Sequence, residues 1–186
     1  MRKEKMIFVT RSFKETRELG EGFVERILLD QVLALSSGRR GVSLSKKSAN
    51  AIALYGDLGS GKTTFVQGLA KGLGIKRRII SPTFIIIRSY KLKAQSEKRK
   101  TTAQNSKLFY HIDLYRTESE RDIEGLGIEE IVNDPQNIVA IEWAEKMGRF
   151  LPRKRIDIRF AYLSESKRRI TVGNLKSQIA KLKTTT

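Results

Sequence analysis

The sequence predicts an α/β fold, a three-layer sandwich with helices on both faces of a mainly parallel central sheet and a β-hairpin near the C-terminus. Two patterns support this prediction. Through the first two thirds of the chain, short apolar and β-branched runs alternate with segments of helical periodicity, as in sheets of parallel strands. Near the end, two strand-like runs flank the polar stretch Ser164–Lys167, which indicates an antiparallel hairpin.

The first half of the chain is expected to hold two strands, each followed by a helix. Ser12 and Glu15 have the spacing of a capping box, which satisfies free backbone amides at a helix start. Gly74 is placed to end the second helix. The four elements span Met6–Thr10, residues 12–35, Ala51–Tyr55 and Lys62–Leu73.

The second half is expected to hold the remaining strands, three further helices and the hairpin. The strands are predicted at Phe84–Tyr90, Leu108–Leu114, Ile138–Ile141, Arg155–Ala161 and Arg169–Val172. The helices are predicted at Ser119–Gly127, Ile128–Asn133 and Asn174–Lys183. Polar, basic loops are expected at 36–48 and 91–107, and a disordered tail at 184–186.

Length and composition narrow the class of protein. A chain of 186 residues has an ordinary size for one domain, so we expect residues 1–186 to form a single domain. The sequence has no cysteine and one histidine, His111, which excludes disulfides, thiol nucleophiles and multi-histidine metal sites. Apolar runs reach only four or five residues, far short of the roughly 20 that a membrane helix needs. We therefore expect a cytoplasmic protein without membrane contact.

The charge is strongly positive and unevenly distributed. Lysine and arginine number 37 against 20 acids, a net charge of +17, which attracts polyanions. Residues 113–145 hold ten acids and two bases, whereas residues 88–107 hold seven bases and one acid. Two interpretations stay open, a lysine-rich solvated surface or a surface that docks nucleic acid or an acidic protein. Aromatic residues are sparse in the basic runs, so base stacking is poorly supported.

The strongest chemical signal is GDLGSGKT at Gly56–Thr63, which fits the phosphate-binding pattern G-x-x-x-x-G-K-[ST] at every defined position. The motif lies between a predicted strand and a predicted helix, as such a P-loop requires. Its glycines let the backbone wrap closely around an anion, and amides at a helix N-terminus favour negative charge. We expect Lys62 to reach the β- and γ-phosphates and the Thr63 hydroxyl to bind Mg²⁺. The amides expected to face the phosphates belong to Gly59, Ser60, Gly61, Lys62 and Thr63.

A P-loop enzyme also needs a carboxylate that holds the metal, at the C-terminal end of a neighbouring buried strand. Glu142 follows the apolar run IVAI, and Asp113 follows LFYHI. Spacing does not rank the two, and either carboxylate could instead cap the turn that follows it. His111 lies two residues before Asp113, hence on the same strand face, and is either structural or catalytic. Trp143, the single tryptophan, is either a core aromatic, a lid over the nucleotide or a partner contact.

A linked set of motifs follows the P-loop in a fixed order. After GDLGSGKTTF come SPTF at Ser81–Phe84, Tyr90, HIDLYR at His111–Arg116, Gly127 with Glu129, IEWAE at Ile141–Glu145, and a Leu-Pro pair. In this set the chain resembles the TsaE family over about residues 6–172. That family is the P-loop ATPase component of bacterial tRNA threonylcarbamoyladenosine (t6A) synthesis. The resemblance therefore implies a P-loop NTPase-like fold, with ATP and Mg²⁺ as cofactors.

The resemblance also implies which residues hold the phosphates and the metal. Thr63 and Glu142 match the magnesium ligands of the family. Lys62 and the two carboxylates Asp113 and Glu142 are the expected catalytic groups. For activating water, Asp113 is the first choice and Glu142, acting through a water, is the second. The phosphate-site matches are Gly56, Gly59, Ser60, Gly61, Lys62, Thr63 and Thr64.

Three further positions match the family outside the P-loop and the carboxylates. Thr83 lies in a switch-like segment near the γ-phosphate, where its hydroxyl would position water or phosphate. Thr16 and Arg168 resemble positions that approach the adenosine.

The family resemblance implies slow hydrolysis coupled to the partner proteins TsaD and TsaB, with tRNA met indirectly or through the basic loops. Those two loops are longer and more basic than is typical of the family. Two alternatives stay open. One is a small-molecule kinase with Arg149–Arg155 as its lid, and the other is a basic tRNA-binding module in which nucleotide is structural. A GTPase is not expected, because the sequence lacks the guanine-reading motif N-K-x-D.

Overall fold

The computed structural model describes residues 5–36, 50–81, 85–92 and 108–173. The predicted helix at 174–183, the tail at 184–186 and Thr83 lie outside the described residues, as do the two basic loops apart from their edges. In chain order the strands are β1 Met6–Thr10, β2 Asn50–Tyr55, β3 Ile87–Lys91, β4 Leu108–Asp113, β5 Ile138–Glu142, β6 Arg155–Tyr162 and β7 Arg168–Gly173. The α-helices are α1 Phe13–Ser36, α2 Lys62–Gly72 and α3 Ile128–Asn133, and 3-10 segments span Glu120–Asp122 and Ala144–Phe150.

The strands form one sheet in the order β1-β7-β6-β2-β5-β4-β3. The four central strands, β6, β2, β5 and β4, are parallel to one another. Antiparallel pairings extend the sheet on both sides: β7 pairs with β6, β1 pairs with β7, and β3 pairs with β4. The α/β class, the parallel centre and the β6–β7 hairpin expected from the sequence are therefore confirmed.

Two hydrophobic clusters cover the two faces of the sheet. Helices α1 and α2 pack on one face, where Phe65 and Leu69 of α2 are almost completely buried. Helix α3 and the 144–150 segment cover the other face with Ile128 and Met147. Successive strand residues alternate between the two clusters. Ala140 of β5 belongs to the cluster on the α1–α2 side, so Glu142, two positions later, faces the same side.

Helices α1 and α2 approach each other closely because each places a glycine at the crossing. A Cβ at Gly68 would lie 1.9 Å from the carbonyl oxygen of Arg17, and one at Gly20 would lie 2.2 Å from that of Phe65. Any side chain at these positions would push the helices apart. The close crossing fixes α2, and with it the loop at its start, against the sheet.

Two predicted elements differ from the structure. The predicted strand Phe84–Tyr90 begins later, at Ile87, and runs to Lys91. The predicted helix Ser119–Gly127 is reduced to one 3-10 turn, because Gly125 and Gly127 adopt left-handed φ values of 82° and 67° that end a right-handed helix. Within the described ranges, no helix has the length and apolarity needed to cross a membrane.

Candidate functional site

The loop at residues 56–61 joins the C-terminal end of β2 to the start of α2, at the centre of the sheet. Gly59 and Gly61 adopt left-handed φ values of 73° and 101°. A Cβ at Gly56 would lie 2.4 Å from the carbonyl oxygen of Phe160 on β6, so only glycine fits there. The loop therefore wraps tightly against the sheet, and the unpaired amides of the first turn of α2 lie beside it.

Lys62 is the buried cation of this loop, with 4% of its surface exposed. Its Nζ donates hydrogen bonds to the carbonyl oxygens of Gly56 (2.5 Å) and Asp57 (2.9 Å) and lies 4.1 Å from the ring centroid of Trp143. Burial lowers the pKa of Lys62, against the attraction of Glu142 and other nearby carboxylates, which raises it. An anion in the loop would therefore meet a cation that is already largely desolvated.

Glu142 lies at the end of β5 and is directed toward the start of α2. Its Oε2 accepts a hydrogen bond from the Thr63 hydroxyl at 2.8 Å, and its Oε1 lies 2.8 Å from Nε2 of His111. Glu142 and His111 are 2% and 0% exposed. Of the two carboxylates that spacing alone did not rank, Glu142 is thus the one in contact with the P-loop hydroxyl.

Asp113 ends the neighbouring strand and pairs with Glu142 in the parallel register of β4 and β5. One of its oxygens accepts a hydrogen bond from the Ser81 hydroxyl, and the other accepts one from the backbone amide of Tyr115 at 3.0 Å. Next to it, the amide of Asp113 donates to the carbonyl oxygen of Ile86, a β-branched residue with a left-handed φ of 65°. The Asp113 carboxylate is therefore oriented by the Ser81 hydroxyl and the Tyr115 amide.

The oxygens of Thr63, Glu142 and Asp113 have the chemistry that Mg²⁺ prefers, since all are hard donors. Across the described ranges, no group of three or more His, Cys, Asp and Glu side chains is arranged to enclose a metal ion. A site of one hydroxyl and one carboxylate suits Mg²⁺, because this ion usually keeps several waters and completes its coordination with substrate phosphates. The residues present therefore fit a phosphate-bound Mg²⁺ rather than a closed structural metal site.

Aromatic and cationic side chains stack beside the loop. The rings of Trp143 and Tyr115 lie 5.2 Å apart, and Nζ of Lys146 lies 5.7 Å and 5.9 Å from their centroids. Lys146 also donates hydrogen bonds to the carbonyl oxygens of Tyr115 (2.6 Å) and Thr117 (2.8 Å). Trp143 itself has a left-handed φ of 57°. Contacts thus run from Lys62 through Trp143 to the loop that follows Asp113.

Thr16 and Arg168 both lie next to the P-loop. A Cβ built on Gly61 would lie 3.6 Å from Cγ2 of Thr16 and 3.9 Å from Cγ of Arg168. The Thr16 hydroxyl is within 2.8 Å of the Thr10 hydroxyl. Nη2 of Arg168 donates to the carbonyl oxygen of Gly59 at 3.1 Å, and Nη1 donates to three carbonyls of the β6–β7 turn. Arg168 thereby ties the hairpin to the loop.

Two aromatic residues at this end of the site were missed in the sequence. The guanidinium carbon of Arg168 lies 4.7 Å from the ring centroid of Tyr162 and 5.8 Å from that of Phe13. Both rings are exposed, by 58% and 62%. No sequence motif marks either residue. Phe13 follows β1 and Tyr162 ends β6, and β7 lies between these two strands in the folded sheet.

The structure brings together most of the residues that the sequence singled out. Thr83 lies outside the described residues, although the neighbouring Ser81 contacts Asp113. Thr64 is half-buried in the first turn of α2. Ser60 is 1% exposed, and its hydroxyl has no hydrogen-bond partner among the described residues. The positions found around the loop are Thr16, Gly56, Gly59, Ser60, Gly61, Lys62, Thr63, Thr64, Asp113, Glu142 and Arg168.

Sequence comparisons identify relatives of this chain. A family model described as "Threonylcarbamoyl adenosine biosynthesis protein TsaE" matches residues 10–170. The tRNA threonylcarbamoyladenosine biosynthesis protein TsaE of Bacillus subtilis (strain 168) is 38% identical over 131 residues, which cover 69% of this chain and 73% of that protein. The protein of the same name from Nostoc sp. (strain PCC 7120) is 36% identical over 138 residues, covering 73% and 76%.

A structural comparison agrees with the fold. The crystal structure of Bacillus subtilis YdiB aligns with a TM-score of 0.64 and 24% identity, covering 98% of this chain and 93% of that one. At this level of identity the likeness shows the fold alone, and it matches the α/β class described above.

Proposed function

Since the chain belongs to the TsaE family of threonylcarbamoyl adenosine biosynthesis proteins, we propose that it is a Mg²⁺-dependent ATPase of the cytoplasmic machinery that makes t6A in tRNA. The observation that carries the proposal is the contact of the Thr63 hydroxyl with Glu142 beside the loop that holds Lys62. A hydroxyl, a carboxylate and a desolvated ammonium meet there at the start of a helix, which is the arrangement that a Mg²⁺-bound triphosphate requires.

The P-loop residues have distinct roles in this proposal. The amides of the loop and of the first turn of α2 cradle the phosphates, and Lys62 leaves its two carbonyl acceptors to contact the β- and γ-phosphates. Thr63 and Glu142 hold Mg²⁺, which supplies positive charge against the phosphate oxygens when bound. The phosphate-binding residues are Gly56, Gly59, Ser60, Gly61, Lys62, Thr63 and Thr64.

Asp113 is the group that we assign to water activation. Its carboxylate lies next to Glu142 in the sheet register and is oriented by the Ser81 hydroxyl and the Tyr115 amide. A fixed carboxylate beside the metal ligand can accept a proton from an attacking water. Thr83, two residues after Ser81, is proposed to orient that water or the γ-phosphate.

The adenosine is proposed to lie on the side of the loop formed by Thr16 and Arg168. Both side chains flank Gly61, and the exposed rings of Phe13 and Tyr162 extend this side outward. Flat aromatic and guanidinium surfaces stack well on a purine base.

Hydrolysis is proposed to be slow in the isolated chain and to act on a TsaD–TsaB complex, ordering and releasing loops as the nucleotide changes. The test is ATP turnover by the chain alone and with purified TsaD and TsaB. The proposal expects stimulation by the partners and no phosphate transfer to small acceptors. Unstimulated turnover with efficient phosphorylation of a metabolite would instead support the kinase alternative.

The two arginines at the ends of the candidate lid, Arg149 and Arg155, do not favour the kinase alternative. Arg149 forms an ion pair with Glu124 at 2.6 Å, and Arg155 forms one with Asp157 at 2.7 Å, so neither guanidinium is directed at the P-loop. The RNA-module alternative predicts steeply salt-dependent tRNA binding that survives Lys62→Ala. Binding that persists in that variant without any ATP turnover in the wild type would favour it.

A further inference from the structure

We propose that His111 is a positioning residue that fixes the Glu142 carboxylate in the orientation that binds Mg²⁺. This inference rests on the proposed function, because it concerns the same metal-binding carboxylate. The sequence leaves His111 as either structural or catalytic, and its contacts in the folded chain indicate a specific role.

The two oxygens of the Glu142 carboxylate have separate partners. Oε1 lies 2.8 Å from Nε2 of His111, and Oε2 accepts from the Thr63 hydroxyl at 2.8 Å. Because an ionised carboxylate only accepts hydrogen bonds, Nε2 of the imidazole carries the proton in this pair. His111 therefore holds one oxygen on the β4 side and leaves the other directed at the first turn of α2.

The sheet register brings His111 to this position. On β4, His111 pairs with Ala140 of β5, and Asp113 pairs with Glu142. His111, Asp113 and Glu142 thus share the face of the sheet that α1 and α2 cover. An imidazole two residues before the end of β4 has the reach to contact the carboxylate at the end of the neighbouring strand.

No other polar function is visible for His111. Its side chain is fully buried, and its Nδ1 has no hydrogen-bond partner among the described residues. A histidine kept only for packing could be replaced by an apolar residue without an unpaired ring nitrogen. Within the described part of the chain, the single polar contact of the ring is with Glu142, so this contact is the polar role that an apolar residue could not fill.

Without His111 the Glu142 carboxylate would have a competing partner. Glu142 raises the pKa of Lys62 through its charge, which shows that the ammonium lies within its electrostatic reach. A carboxylate released from His111 can turn toward Lys62, which would take the metal ligand out of position while Lys62 keeps its contacts with the carbonyl oxygens of Gly56 and Asp57. Mg²⁺ tolerates little deviation from octahedral geometry, so it is sensitive to such a rotation.

The test compares His111→Leu with His111→Gln and with the control Phe109→Leu. Phe109 is buried on the same face of β4, and its side chain has no group that could hydrogen-bond to Glu142. Binding of ADP is measured by calorimetry over a series of Mg²⁺ concentrations and in EDTA, with thermal unfolding and ATP turnover alongside. Glutamine carries its amide nitrogen at about the reach of Nε2, so it can still donate to Oε1.

We expect His111→Leu to raise the Mg²⁺ concentration for half-maximal binding about 10–100-fold while Mg²⁺-free ADP binding stays near wild type. His111→Gln should restore most of the loss, and Phe109→Leu should lower the unfolding temperature without changing the Mg²⁺ dependence. If His111→Leu does not fold, His111→Asn decides, because its shorter amide cannot reach Oε1 and should show the same loss that glutamine avoids.

An unchanged Mg²⁺ dependence in folded His111→Leu, or in His111→Asn where the leucine variant does not fold, would overturn the positioning role and leave the proposed function standing. The positioning role would also be overturned if His111→Gln lost as much Mg²⁺-dependent binding as His111→Leu, or as much as His111→Asn where the leucine variant does not fold. The proposed function fails separately, when the wild-type chain itself shows no Mg²⁺-dependent nucleotide binding.

Discussion

The Thr63 hydroxyl and the Glu142 carboxylate meet at 2.8 Å although 79 positions separate them in the sequence. Thr63 belongs to the first turn of α2 and Glu142 is the last residue of β5, which pairs with β2 in parallel. The bond therefore joins the helix that follows the P-loop to the strand beside it. The fold thus brings together the two side-chain oxygens that we propose as Mg²⁺ ligands.

Replacing Thr63 by valine tests this pair with little change of volume. Valine lacks the hydroxyl that contacts Glu142, so Mg²⁺-stimulated ATP turnover should fall by a factor of about 100 or more, as expected when a metal ligand is lost. Turnover is measured as phosphate release over a range of Mg²⁺ concentrations. The matched control is Thr171→Val on β7, a strand that does not pair with β2. Equal activity of the two variants would contradict the assignment of Thr63 as a metal ligand.

The lowered pKa of Lys62 predicts a pH dependence of nucleotide binding. Burial holds the pKa of the free chain below the ordinary lysine value, and contact with phosphate favours the charged form and raises it. Between these two values the complex binds more protons than the free chain. Affinity should therefore be constant below the free-chain pKa of Lys62 and fall as the pH rises through it.

The measurement for Lys62 is calorimetry above about pH 8, where phosphates with a second pKa near 6 are fully ionised. Titrations in two buffers of different ionisation enthalpy give the number of protons exchanged. We expect net proton uptake on binding in this range. Proton release, or an affinity that rises with pH, would show that Lys62 does not contact the phosphates.

Arg168 is expected to stabilise the loop as well as the hairpin. It donates to the carbonyl oxygen of Gly59 and to carbonyl oxygens of the β6–β7 turn, so Arg168→Met removes these hydrogen bonds. The unfolding free energy should fall by about 1–3 kcal/mol, and nucleotide affinity should weaken with it. The exposed neighbour Arg169 gives the control Arg169→Met, expected within about 0.5 kcal/mol of wild type. Chemical denaturation of both variants decides, and equal stability would rule out this bracing role.

The crossing of α1 and α2 makes Gly68 intolerant of any side chain. The added methyl of Gly68→Ala would lie 1.9 Å from the carbonyl oxygen of Arg17, so we expect a loss of about 1–3 kcal/mol of unfolding free energy. At Gly22, in the same pair of helices, an added Cβ would have no atom within 4 Å, and Gly22→Ala should be neutral or stabilising by up to about 1 kcal/mol. Thermal and denaturant unfolding measure both, and a harmless Gly68→Ala would mean that the helices cross less closely.

The parts of the site that the sequence predicts are those encoded locally. GDLGSGKT specifies its own backbone path through glycines at fixed spacing, and the apolar runs before Asp113 and Glu142 place both at strand ends. Which of the two carboxylates contacts Thr63 depends on the strand order, and local patterns do not encode that order. The same holds for the contact of Arg168 with Gly59, since 109 positions separate them.

The misplaced element ends also have local causes. The stretch 119–127 has helical apolar spacing, but Gly125 and Gly127 take up left-handed conformations and leave only one 3-10 turn. At β3, the left-handed Ile86 delays the start of the strand, and its carbonyl oxygen accepts from the amide of Asp113 instead. A β-branched residue in that conformation is held by tertiary contacts, which the sequence pattern does not reveal.

The most direct test of the central claim is a calorimetric titration of the purified full chain with ATP, in Mg²⁺ and in EDTA, beside Lys62→Ala. The P-loop account predicts saturable binding at one site per chain that is tighter with Mg²⁺ and is lost in the variant. Binding of equal strength in wild type and Lys62→Ala, or no binding heat from the wild type in either condition, would contradict it.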